Sequence, residues 1–304
     1  MSDPAAVSLG EPKPAERDGA RNRGRFLALV PAMPPGLLIL LLFLIPMAIM
    51  VGISLRPNDD GMIGEGFTLG NYSLFFSESF YLRSFALTLT MAATVGGLVT
   101  VLALPIAYFL ARTKSRWKTL FILLSIAPEL AGAVLRTYGW LVILERDGVI
   151  NQFLMTLGII SQPLPLLYSF WGVVIGMTHV LLPFGILSLY TLFQGIDPNL
   201  ERASAVLGAN RLRTIRSVLL PLALPGIISS FFLAFTLSAS AYATPALLGG
   251  SGFAVLATLI YDEMLYLLNW PMAAALANIL FVVVVLIAFL GARVEGGVNR
   301  KLHG

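Results

Sequence analysis

Residues 197–216 read DPNLERASAVLGANRLRTIR, a polar and basic interruption between two apolar stretches that are each long enough to cross a bilayer. Asp197 followed by Pro198 is a helix start: the carboxylate can accept from the free amides of the first turn, and proline suits the first helical position, where no N–H is needed. Glu201 lies in that first turn, where negative charge suits the helix dipole. Gly208 supplies the stop. Leu200, Ala203 and Leu207 fall at i, i+3 and i+7, which gives a narrow apolar stripe with polar flanks. The spacing therefore predicts a short helix over 197–208, followed at once by Arg211, Arg213 and Arg216. Such a helix is too short and too polar to span a membrane, and its stripe needs cover from either the headgroup layer or another protein.

The surrounding composition belongs to a polytopic membrane protein. Hydrophobic residues make up 57% of the 304 and charged residues 12%, against about 25% charged in soluble domains; the mean hydropathy is +0.85. There is no cysteine, and the histidines are His179 and His303. Disulfides, thiolate metal sites and cysteine nucleophiles are excluded, and no metal site, cofactor or catalytic residue is expected. No lysine follows a glycine, so the phosphate-cradling GxxxxGK[ST] loop is absent and any ATP chemistry needs a separate chain.

Residues 1–25 are rich in Pro, Gly, Ala and charge and predict a disordered tail ahead of a transmembrane domain over 26–304. Six apolar segments follow, at about 33–55, 84–111, 119–143, 166–193, 217–247 and 272–292, each of about 20 residues or more. The first reads as a signal anchor, since a polar leader of this length and the absence of a small-residue cleavage site after Met50 argue against a cleaved signal peptide. Six spans place both termini on one side. Sixteen of the 20 basic residues share a face: five in the tail, Arg112 with Lys114, Arg116 and Lys118, Arg202 with Arg211, Arg213 and Arg216, and Arg293 with Arg300 and Lys301. The opposite loops hold Arg56, Arg83 and Arg146 against eight acidic residues. The positive-inside rule makes the basic face, and both termini, cytoplasmic; the basic excess does not imply nucleic acid.

Glu201, Ala203, Leu207, Gly208 and Ala209, with Leu220-Pro221 and Pro225-Gly226-Ile227 downstream, resemble the EAA loop of ATP-binding-cassette importer permeases. The Glu-Ala-Ala triplet of that family reads Arg202-Ala203-Ser204 here, with Glu201 one position early. Phe67-Thr68-Leu69, Leu135-Arg136-Thr137-Tyr138-Gly139-Trp140, Thr244-Pro245-Ala246-Leu247-Leu248-Gly249-Gly250 and Asn269-Trp270-Pro271 are similar to the spermidine/putrescine-type subfamily. The resemblance implies an all-α, six-span type I importer permease (MetI-like) fold in a bacterial inner membrane, with a core module at about 84–292 and a cytoplasmic coupling loop at 197–216. Asp197, Leu200, Glu201, Ala203, Leu207 and Gly208 would then be the ATPase-coupling residues. The implied partners are two ATPase subunits, a second homologous permease, a periplasmic solute-binding protein and the lipid bilayer. Relatives with these motifs also carry amino-acid-like solutes, opines or phosphonates. A secondary transporter would show an internal repeat, and none is evident between 26–160 and 161–304.

Charges inside a membrane segment are costly, so Glu129 and Arg136 in the third segment are candidates for a translocation path, along with Tyr138, Tyr242 and Thr244. In one continuous helix Glu129 and Arg136 would share a face but sit about 10 Å apart along the axis, too far for an ion pair. Two readings stay open. Either Arg136 snorkels to the interface beside Tyr138 and Trp140 while Glu129 meets a neighbouring helix, or both line a polar path suited to a cationic amine. Tyr242 and Thr244 beside Pro245 face a pore or pack, and His179 reads as a packed polar residue near Pro183. The acidic, aromatic segment 261–270, with Asp262 and Glu263, is an interfacial belt or a contact for a binding protein.

Overall fold

The computed structural model describes residues 33–303. The tail expected at 1–25 lies outside the described residues. The chain divides into two compact units, residues 1–52 and 53–304. Most of α1 (Met33–Ser54), an apolar helix with Pro46 inside it, falls in the first unit.

The second unit opens with a hairpin, β1 (Asn58–Asp59) against β2 (Met62–Ile63), whose turn residues Asp60 and Gly61 both have positive φ, 44° and 87°, as a two-residue Asp-Gly turn requires. Every element after it among the described residues is helical: α2 (Gly70–Ser77), α3 (Ser79–Arg112), α4 (Lys118–Leu130), α5 (Ala133–Leu144), α6 (Val149–Thr156), α7 (Phe170–Gly195), α8 (Pro198–Val206), α9 (Arg211–Thr214), a turn of π-helix (Ile215–Leu219), α10 (Leu220–Ala239), α11 (Ala243–Gly249), α12 (Leu256–Leu265) and α13 (Trp270–His303). Helices satisfy their own backbone donors and acceptors, the condition that lipid imposes on any spanning segment. Among the described residues four helices are long and apolar enough to cross a membrane, Ser79–Arg112, Phe170–Gly195, Arg211–Ala239 and Trp270–Val298, and a bent pair makes a fifth if counted as one span.

That bent pair corrects the expectation of a single third span over 119–143. The chain turns by 95° between α4 and α5. Proline at 128 has no amide hydrogen and Gly132 is a weak helix former, so Ala131 and Gly132 take extended angles, with ψ of 133° and 146°. The fifth segment, expected over 217–247, instead ends at Ala239, and α11 is a separate helix. Pro245 cannot extend a helix out of α10 because its ring would press on the Ala241 carbonyl, but it is tolerated in the first turn of α11. The same property of Pro221 accounts for the π-turn before it, which widens the helix where the Ser217 carbonyl would otherwise clash.

α3 is the central pillar: α7 and α10 both pack along it, and α10 also meets α7 and α13. Its buried residues Ala92, Val95, Gly96, Val99, Ala103 and Ala107 recur every three or four positions. Small side chains on that stripe let the neighbouring backbones approach closely, which is how helices associate where the solvent is as apolar as the core. Met91, Val95 and Val99 of α3 join Met177 and Leu181 of α7 in one cluster, and Ala103, Ala107 and Leu110 join Ile186, Leu189 and Phe193 in a second.

Candidate functional site

Two features mark opposite ends of α3. Arg112 closes one end and Tyr81 lies near the other, 31 residues away, or about 45 Å along an α-helix.

At the Arg112 end, α8 forms as its sequence predicts. Asp197 caps it, with Oδ1 accepting from the Asn199 amide at 2.9 Å. Gly208, at φ +81°, ends it, with the Gly208 amide donating to the Ala205 carbonyl and the Ala209 amide to the Ser204 carbonyl, both at 3.0 Å; these are the two bonds of a Schellman motif. Ser204, the buried residue of the helix, shares a 2.7 Å hydrogen bond with Thr214 of α9. The stripe points outward: Leu200 is 42% exposed and Leu207 88%, and Ala203 is exposed with them.

Glu201 does not belong to that outward face. Its Oε1 accepts from Arg112 Nε at 2.6 Å and its Oε2 from the Tyr108 hydroxyl at 2.8 Å. Arg112 also donates to the Phe193 carbonyl at 3.0 Å and to the Ile196 carbonyl at 3.1 Å. These carbonyls belong to the C-terminal end of α7, where four acceptors have no partner within the helix. One guanidinium thus ties α3, α7 and α8 together. Sequence reasoning missed it, although a basic residue at the last position of α3, level with the acid of the loop, was the available signal.

At the opposite end a cavity of about 830 Å³ opens between α5, α11 and α12. Five of the nine tyrosines, Tyr138, Tyr168, Tyr242, Tyr261 and Tyr266, line it together with Asp262. That concentration makes it an aromatic site. The rings of Tyr242 and Tyr261 stack with centroids 4.5 Å apart, and Tyr266 meets Tyr261 edge-on at 5.9 Å. No Lys, Arg or His is among the described residues that line the cavity, and Asp262 is in neither of the two ion pairs recorded among them.

Buried polar contacts hold this cavity in shape. Glu263, expected in a solvent-facing loop, is 6% exposed and accepts from the Tyr81 hydroxyl at 2.7 Å, which fixes α12 to the start of α3. The Leu256 amide donates to Thr88 Oγ1 at 2.9 Å. Across the cavity, fully buried Asn151 donates to the Glu145 and Leu164 carbonyls and accepts from the Leu164 amide, holding segment 157–169 in place. The Tyr168 amide then donates to the Leu248 carbonyl at 2.9 Å. Tyr168 presses so closely on Gly250, at φ +66°, that a Cβ there would lie 2.7 Å from the ring. Nothing in the local sequence around Asn151 or Glu263 signals these contacts.

Of the five path candidates, the structure brings Tyr138 and Tyr242 to the cavity and leaves the other three off its lining. Thr244 is 5% exposed and bonds Thr137 across the α5–α11 contact at 3.2 Å. His179, expected to be packed, is exposed; it accepts from Trp140 Nε1 at 3.2 Å and meets that ring edge-on. Glu129 and Arg136 form an ion pair with each other, contrary to the spacing argument, because the bend at 131–132 folds the two helices back and removes the axial separation. Their side chains are 20% and 10% exposed. Removing one partner of a buried pair costs about 3–5 kcal/mol, whereas replacing both with apolar groups is near neutral. Glu129→Gln is therefore expected to lower membrane abundance in step with uptake, and Glu129→Leu/Arg136→Leu to be milder than the single change. Quantitative immunoblotting beside uptake per molecule checks this; loss of uptake at full abundance would return Glu129 to the translocation path.

Comparison with known proteins places this geometry in context. Residues 99–300 match the model of the family described as "Binding-protein-dependent transport system inner membrane component". The chain is 29% identical over 284 residues to the spermidine/putrescine transport system permease protein PotB of Salmonella typhimurium, covering 93% of this chain and 98% of that one. It is 30% identical over 274 residues to PotB of Escherichia coli, covering 88% and 97%. In fold it is similar to a chain of a bacterial ABC transporter that imports the polysaccharide alginate, with a TM-score of 0.69, 18% identity and coverage of 90% and 97%.

Proposed function

The chain belongs to the family of binding-protein-dependent transport system inner membrane components, and on that premise we propose that it is the permease subunit of an ATP-driven importer for a polyamine of the spermidine/putrescine class. It is an inner-membrane transport protein and carries out no covalent chemistry. Its core module spans about 84–292 and its coupling loop 197–216. Its partners are two ATPase subunits, a second permease of the same type and a periplasmic binding protein.

The observation that carries this reading is the outward apolar stripe of α8, Leu200, Ala203 and Leu207, mounted on a helix locked at four points: the Asp197 cap, the Glu201–Arg112 pair, the Ser204–Thr214 bond and the Gly208 turn. A rigidly held apolar face on the basic side of the protein suits a protein partner better than a fluid headgroup layer. Closure of the ATPases on ATP would displace α8 as a unit. Its bonds to α3, α7 and α9 would pass the displacement to the spans, which then open alternately to the two sides.

The assignment of a polyamine is supported by the PotB relatives and by the acidic, tyrosine-lined cavity at the far end of α3. Uptake of labelled spermidine in cells expressing this chain with its partner subunits should depend on this chain and stop when the ATPase is inactivated, and the ATPase should co-purify with the chain. ATPase-independent uptake would mark a secondary transporter instead, and uptake of amino acids or phosphonates but not amines would move the solute class. In the same cells a cysteine at Val206 should be shielded from an impermeant thiol reagent and one at Glu65 should react; the reverse pattern would invert the orientation.

A further inference from the structure

We infer that the tyrosine-lined cavity is an ammonium-recognition site on the outer face of the permease, with Asp262 as its counter-charge and Tyr138, Tyr168 and Tyr266 as the surfaces on which the ligand's carbon chain lies. The site's chemistry follows from its lining, and only the choice of spermidine as probe rests on the function proposed above.

Its size, about 830 Å³, falls within the roughly 300–1,000 Å³ of small-molecule sites. Its single formal charge is negative, so it repels carboxylates and phosphates and attracts cations. A divalent metal is a poor occupant, because hard cations take about six to eight oxygen ligands and no group of three or more acidic or histidine side chains that could hold a metal occurs among the described residues. Phenol rings bind organic cations through the negative potential of their faces, and they cover the methylenes between charged centres. The exposed rings of Tyr138, Tyr168 and Tyr266, 54%, 64% and 74% accessible, are free to do so. An uncharged sugar would also stack on such rings, but it would gain nothing from the Asp262 charge. This dependence on the charge separates the two ligand classes experimentally.

Rigidity is built into the site. The neighbouring acid Glu263 is occupied by Tyr81, so α12 is anchored by one carboxylate while the next one in sequence, Asp262, faces the cavity. The Asp262 carbonyl closes the end of α12 by accepting from the Tyr266 and Leu267 amides, a backbone role that substitution of the side chain leaves in place.

The test uses the assembled importer, this chain with its partner permease and ATPases, purified in detergent for binding and reconstituted with the binding protein for uptake. Spermidine binding to the complex without binding protein should weaken by about ten-fold or more in Asp262→Asn, and uptake at saturating spermidine should fall with it. Asp262→Glu should recover most of both. Tyr266→Leu should weaken binding and Tyr266→Phe should not, since the ring face and not the hydroxyl is used. If the unmodified complex binds and transports spermidine and the Asp262→Asn and Tyr266→Leu complexes match it, the site is overturned while the polyamine reading stands. If the unmodified complex neither binds nor transports spermidine, the polyamine reading fails and choline becomes the probe. Choline binding lost in Asp262→Asn would then support the site, and the absence of Asp262-dependent binding of either cation would overturn it.

Discussion

Importer complexes carrying Glu201→Lys are expected to retain less than about a tenth of the unmodified transport rate and to lose ATPase on purification. The helix dipole alone would not produce this, since reversing a charge in the first turn of a helix is worth only about 0.3–1 kcal/mol. The larger effect comes from Arg112. Its guanidinium and the Glu201 carboxylate are 17% and 21% exposed, and loss of one partner from a buried pair costs about 3–5 kcal/mol; partial exposure puts this pair toward the lower end. Lysine at 201 also sets two cations face to face at the junction of α3, α7 and α8. Glu201, expected among the ATPase-coupling residues, has its partners, Arg112 and Tyr108, on the same chain. The informative control is therefore internal. Arg112→Glu/Glu201→Arg restores the charge pair but not the bonds from Arg112 to the Phe193 and Ile196 carbonyls, so it should recover only part of the transport. Solute-stimulated ATP hydrolysis and ATPase co-purification are the measurements. Glu201→Lys complexes that retain both would show that the three-helix junction carries no coupling.

What could be read from the sequence follows the range of the signals. α8 was legible to the residue because capping and helix-stop rules act within four or five positions, and Asp197, Pro198 and Gly208 satisfy them independently of tertiary context. The apolar segments were legible because lipid acts on averages over 20 residues. That same averaging hid the break between α4 and α5: one glycine within an apolar run changes the average little, yet with Pro128 nearby it ends the helix and brings Glu129 onto Arg136. Contacts that close over long separations left no local trace. Tyr81 reaches Glu263, and Tyr138 and Tyr242 come to line one cavity, only once α3 and α5 have packed against the C-terminal helices. Asp262 and Glu263 are adjacent acids in sequence, and their separate roles depend on which one Tyr81 reaches.

Gly208→Val is the sharpest test of whether α8 transmits motion, because it should damage the helix end without disturbing the membrane core. A Cβ at 208 would meet nothing within 4 Å, so the substitution is not a clash with neighbours. The strain lies in the backbone: at φ +81° an L-residue is held in the left-handed region at about 1–2 kcal/mol, and β-branching makes this worse because its χ1 is already restricted. The chain can escape only by giving up the Gly208–Ala205 and Ala209–Ser204 backbone bonds. That frees the last turn of α8, weakens the 2.7 Å Ser204–Thr214 link to α9 and turns Leu207 away from the face it shares with Leu200 and Ala203. Membrane abundance should stay within about two-fold of normal, since exposed surface positions perturb stability little, while transport falls by about ten-fold or more if α8 and α9 must move as one body. Gly208→Asn should be much milder, because asparagine tolerates the left-handed conformation better than other side chains, and the order Gly, Asn, Ala, Val in transport rate would follow the cost of positive φ. A Gly208→Val complex that transports at the unmodified rate would reduce α8 to a surface helix and leave the coupling role resting on family membership alone.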